Sequence, residues 1–199
     1  FCRLGKTSSM SVGGLDAGER SSAPASKPAA QAGELAVTFR ELPSLYSSEA
    51  AFVQLYSDRP RSFWLDSSLI ADGLSRFSFM GAPDGPLAHE IRYNTAKKSV
   101  RISHGGQETA AVVSIFDYLS QELAARATDV DGLPFEFCGG YVGYFGYELK
   151  VNTGGSDQHK SPVDDSCFFF IDRFIAFDHV EQKTYLVAIY DSDCHDAQL

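Results

Sequence analysis

The sequence predicts an α+β chain in which antiparallel strands outnumber helices. Three observations carry this. Leu35, Val37 and Phe39 alternate with Ala36, Thr38 and Arg40, the period of a strand with one buried face. A long aromatic strand runs from Cys167 to Asp178 and returns, after Glu181-Gln182-Lys183, as Thr184–Tyr190, an antiparallel hairpin. The clearest helical period places Val112, Ile115, Phe116, Leu119 and Leu123 on one face, with Gln121, Glu122 and Arg126 elsewhere.

The remaining elements follow in order. A first helix opens with Ser48 as N-cap and gathers Ala51, Phe52, Leu55 and Tyr56 on one side. Phe63–Ser67 and Arg76–Gly81 read as two strands joined by a turn containing Gly73. Leu87–Asn94 and Ser99–Ser103 form a hairpin around Thr95-Ala96-Lys97-Lys98. The stretch from 150 to 163 is polar and rich in Gly and Ser, hence a loop.

With 199 residues the chain suits one domain plus a tail. Residues 1–33 are rich in Ser, Ala, Gly and Pro, and cannot bury enough apolar surface to offset chain entropy. They read as a disordered interdomain linker, and residues 34–199 as the folded domain. A first residue of Phe rather than Met leads to the expectation of a fragment or a processed piece.

The net charge of −9 argues against nucleic acid and anionic membrane as partners. No apolar run approaches the ~20 residues that span a bilayer. Cys2, Cys138, Cys167 and Cys194 are far apart and form no C-x-x-C pair, so they read as reduced thiols, with Cys138 and Cys167 as small core residues. His89 and His104 lie on or beside a hairpin, His159 and His195 in polar segments, and His179 at a turn. No two have metal-binding spacing. Asp164-Asp165 and Asp191/Asp193 read as solvated loop charges.

Asp66, Ser67 and Arg76 are the best candidates for a polar pocket. An Asp and an Arg on neighbouring strands can hold the ammonium and carboxylate of an amino acid while a serine hydroxyl orients it. The same residues also fit a local Asp–Arg ion pair at a strand edge with Ser67 in a turn. From spacing alone, the ion pair is the better reading.

The stretch Leu133 to Lys150 fits neither helix nor simple strand. Glycines at 140, 143 and 146 recur every third residue among aromatic side chains, which calls for close backbone approach or positive φ. Read alone, it is a tightly packed Gly-rich strand. Phe137-Cys138-Gly139-Gly140-Tyr141-Val142-Gly143-Tyr144-Phe145-Gly146-Tyr147-Glu148 nevertheless resembles the F-x-G-G-x-x-G-x-x-G-Y-[DE] signature of the first component of anthranilate and aminodeoxychorismate synthases. Two flanking matches, Phe63–Ser68 with Ser75–Gly81 and Phe168–His179, keep the family order.

That resemblance implies two packed, mainly antiparallel β-sheets with a few outer helices, incomplete without a C-terminal half. Gly139, Gly140, Gly143, Gly146, Tyr147 and Glu148 would carry packing or interface roles. Leu65-Asp66-Ser67 matches an L-L-E-S segment lining a tryptophan site, with Arg76 and Phe77 on a second strand of the same pocket. Trp64 and Asp66 depart from that pattern, which puts feedback inhibition in doubt and leaves a structural ligand. The wording is closest to the aminodeoxychorismate branch, in its fused, plant-like form, which would place the enzyme in plastids. The activity implied is conversion of chorismate and glutamine to 4-amino-4-deoxychorismate and glutamate, toward p-aminobenzoate and folate. The chorismate site and its Mg²⁺ would lie in the C-terminal half, so no catalytic residue and no metal ligand is assigned here and the fragment alone should be inactive. Partners would be a glutamine amidotransferase domain fused upstream, the C-terminal chorismate-binding domain, and tryptophan as a possible ligand. Component I of anthranilate synthase and a free-standing amino-acid-binding module remain the alternatives.

Overall fold

The computed structural model describes residues 2–3, 34–44, 46–67, 75–128, 130–155 and 162–193. Apart from Cys2 and Arg3, the expected linker lies outside these residues. So do the Gly73 turn, His159, His195, Cys194 and residues 194–199.

Eleven strands and two helices are assigned among the described residues. The strands are β1 (Cys2–Arg3), β2 (Leu35–Leu42), β3 (Phe63–Leu65), β4 (Phe77–Gly81), β5 (His89–Asn94), β6 (Ser99–His104), β7 (Gln107–Val112), β8 (Gly140–Phe145), β9 (Ser166–Ile171), β10 (Arg173–Asp178) and β11 (Lys183–Asp191). The helices are α1 (Ser48–Tyr56) and α2 (Ile115–Ala125), with a 3-10 turn over Tyr147–Thr153. One sheet has the order β1-β8-β9-β5-β6-β7 and the other β2-β11-β10-β4-β3. Every pairing is antiparallel. The expected α+β class with two antiparallel sheets is the observed one.

Local chemistry explains the turns. The Asn94 side chain accepts from Lys97 N–H at 2.9 Å and closes the β5–β6 hairpin. Gly105 and Gly106, at φ +56° and +80°, supply the two left-handed residues of a tight β6–β7 turn. That hairpin departs from the expected helical face, since Val112 ends β7 and is 86% exposed. Ser114 caps α2, its hydroxyl accepting from Phe116 N–H. Helix α1 is capped by Ser47, one residue before the expected Ser48, because Ser47 Oγ reaches Ala50 N–H at 3.2 Å. Its expected apolar face is not buried, and Leu55 is 51% exposed.

The long strand expected from Cys167 to Asp178 is two strands in different sheets. β9 pairs with β5 and β8, β10 with β4 and β11, and the chain changes sheet at the wholly buried Asp172. One core lies between the first sheet and α2, built on Ile91, Tyr93, Phe168, Phe170, Ile115 and Leu119. Burial is worth roughly 1.5–3 kcal/mol for each such large side chain. The second core brings Phe174, Ala176 and Val187 of the other sheet against Phe135, Phe137 and Val142.

Candidate functional site

The β3–β4 hairpin and the end of β10 meet at Ser78, which is fully buried. Its Oγ accepts from Ser67 N–H at 3.0 Å and donates to Asp66 Oδ1 at 3.0 Å. His179 Nε2 lies 2.7 Å away. A hydroxyl has one proton, and since Asp66 takes it, His179 donates through Nε2–H. A nucleophilic serine would instead pass its proton to the imidazole, so this Asp–Ser–His group fixes position rather than attacking a substrate. Ser67 Oγ donates to Phe77 O at 2.7 Å, and His179 N–H to Arg76 O at 3.0 Å.

The structure brings Leu65, Asp66, Ser67 and Phe77 together, with Arg76 beside them. The Arg76 guanidinium forks onto Asp178, with Nε 2.9 Å from Oδ1 and Nη2 2.6 Å from Oδ2, rather than pairing with Asp66. The antiparallel register sets Asp178 opposite Phe77, next to Arg76. Asp178 also accepts from Val180 and Glu181 N–H, closing the β10–β11 turn. Burial pushes its pKa up, but the Arg76 fork and the two amides outweigh that and leave it lowered. His179, expected only to cap a turn, joins this hairpin to β4 through Ser78. Strand pairing was the missing signal, because Ser78 and His179 are 101 residues apart in sequence.

Beside Ser67 lies a face of rings. Phe77, Phe79 and Phe135 meet edge to face at 5.3 and 5.4 Å, and Phe79 also meets Phe137 and Phe174. Phe77 and Phe79 are only partly covered. Arg76 lies over the Phe77 ring at 4.9 Å.

The glycine signature forms β8 as a Gly-rich strand, buried only in its first half. Gly139 has φ +100°, and a Cβ there would stand 2.9 Å from Ile171 O. A Cβ on Gly143 would stand 2.6 Å from Phe168 Cα. Tyr147 is 77% exposed, and Lys150 Nζ sits 4.1 Å above its ring.

Several other polar groups are more engaged than the sequence implied. Asp164 takes Arg92 at 2.8 Å and Arg101 at 3.2 Å, and Asp165 takes the amide and hydroxyl of Thr95, so neither is a free loop charge. Cys138 is buried, as expected. Cys167 is half-buried, its thiol donating to Glu90 at 3.4 Å, and burial with that bond pushes its pKa to about 11. His89 stacks on Phe170 at 5.2 Å and reaches Tyr141 Oη at 2.7 Å. Tyr141 in turn donates to Glu122, which Arg126 holds at 2.8 Å. Burial lowers the His89 pKa to about 4.

No family model matches the chain. Among curated proteins it is 47% identical over 167 residues to an aminodeoxychorismate synthase of Streptomyces pristinaespiralis, covering 83% of this chain and 23% of that protein. It is 35% identical over 146 residues to the chloroplastic aminodeoxychorismate synthase of Arabidopsis thaliana, covering 65% of this chain and 16% of that one. A solved structure, the anthranilate synthase component I of Streptococcus pneumoniae TIGR4, matches 76% of this chain and 31% of its own at 18% identity and TM-score 0.45. The two sheets and the signature strand define a β-rich, antiparallel module. The chain belongs to the aminodeoxychorismate synthase family, and it spans under a quarter of the length of these curated relatives.

Proposed function

We propose that this chain is the N-terminal scaffold of an aminodeoxychorismate synthase, which converts chorismate and glutamine to 4-amino-4-deoxychorismate and glutamate for p-aminobenzoate and folate synthesis. The observation that carries the reading is 47% identity over most of the chain with a protein of that name. A glutamine amidotransferase domain and the chorismate-binding portion complete the enzyme in this reading. Among the described residues no group of three or more His, Cys, Asp or Glu is placed to hold a metal ion. The Mg²⁺ implied by the family resemblance is assigned, in this reading, to the chorismate-binding remainder.

In the same reading the half-covered rings Phe77 and Phe79, beside Leu65, Asp66 and Ser67, form an amino-acid pocket. The ring face suits an aromatic side chain and the exposed Asp66 carboxylate an ammonium group. Arg76, held by Asp178, would steady Phe77 rather than bind a ligand carboxylate.

A plastid setting is part of the proposal for a plant-like enzyme, since the Arabidopsis relative is chloroplastic. No helix among the described residues is long and apolar enough to cross a membrane.

The deciding experiment supplies the enzyme containing this chain with chorismate, glutamine and Mg²⁺ and resolves the products by mass. Aminodeoxychorismate is the expected product, and anthranilate with pyruvate would overturn the reading. Calorimetry with free tryptophan tests the pocket. Heat that Ser67→Ala weakens supports it, and no heat at millimolar ligand ends that part of the proposal.

A further inference from the structure

We draw no further inference here: the strongest candidate, the crevice of about 380 Å³ where Ala51 and Leu55 of α1 face Ile175, Phe177 and Leu186 of the second sheet, is an unpartnered apolar face, and nothing in the structure shows what covers it.

Discussion

Asp172 and Gly85 are packed so closely that only a glycine fits opposite the carboxylate. A Cβ at position 85 would stand 2.5 Å from Asp172 Cγ and nearer still to both oxygens. The carboxyl marks the point where the chain leaves one sheet for the other, and Oδ2 accepts from Leu87 N–H at 2.7 Å. Gly85→Ala should therefore destabilise the chain by about 2–4 kcal/mol in urea unfolding, by overpacking against a buried carboxylate whose displacement would break its bond to Leu87 N–H. Adding Asp172→Ala should recover part of that loss. Strict additivity of the two substitutions would show that the contact is not the cause.

Asp172 Oδ1 is buried and finds no hydrogen-bond partner among the described residues, and burial raises the pKa of the group. A carboxyl with a raised folded pKa contributes stability below its unfolded value, near 3.9, and loses it as pH rises through the folded value. Asp178 works the other way. Its lowered pKa contributes stability above the unfolded value and is lost as pH falls through the folded one. Asp172→Asn should thus gain stability over the parent as pH rises from 4 to 8. Asp178→Asn should fall below the parent by an amount that shrinks as the solution is acidified below about pH 4. Parallel pH profiles for parent and variant would refute either assignment.

His89 sets the acid limit from a different direction. Its ring lies between Phe170 and Tyr141, with His104, Glu122 and Arg126 also acting on it, and its pKa is lowered to about 4. The unfolded histidine takes up a proton near pH 6.5 and the folded one does not, so stability falls as pH drops from 6.5 toward 4. The loss is at most about 3 kcal/mol and levels off below pH 4. The imidazole resonances should titrate near pH 4 by NMR. His89→Gln should flatten the stability profile between pH 4 and 6.5, and an unchanged slope would assign the loss to other groups.

Most strands could be read from period and turn chemistry because each is a local property of the chain. The β5–β6 and β10–β11 hairpins stand where alternation and polar turns put them. β7 is not legible in the sequence although Gly105-Gly106 is a two-residue hairpin signal, because Gln107–Val112 is exposed on both faces and has no apolar alternation. The break at Asp172 was hidden because Phe168 to Phe177 is apolar throughout apart from Asp172 and Arg173, and a change of sheet leaves no periodic mark. At the candidate site, the neighbourhood of Leu65, Asp66, Ser67 and Phe77 could be read, whereas the pairing of Arg76 could not. Asp178 is 102 residues away, and only the register of β4 against β10 brings it near.

The glycine signature yields the sharpest contrast between crowding and conformational freedom. Gly143 has ordinary strand geometry, but a Cβ there would meet Phe168 Cα at 2.6 Å and the Cys167 carbonyl oxygen more closely still. Gly106 has φ +80° and open space where a Cβ would go. Gly143→Ala must therefore push β8 away from β9, at an expected cost of at least about 3 kcal/mol. The displacement should show as faster amide exchange in Phe168 and Phe170. Gly106→Ala strains one turn residue and should cost only about 1 kcal/mol, with exchange in β9 unchanged. Equal costs for the two substitutions would mean that backbone freedom, rather than the close approach of β8 to β9, is what position 143 requires.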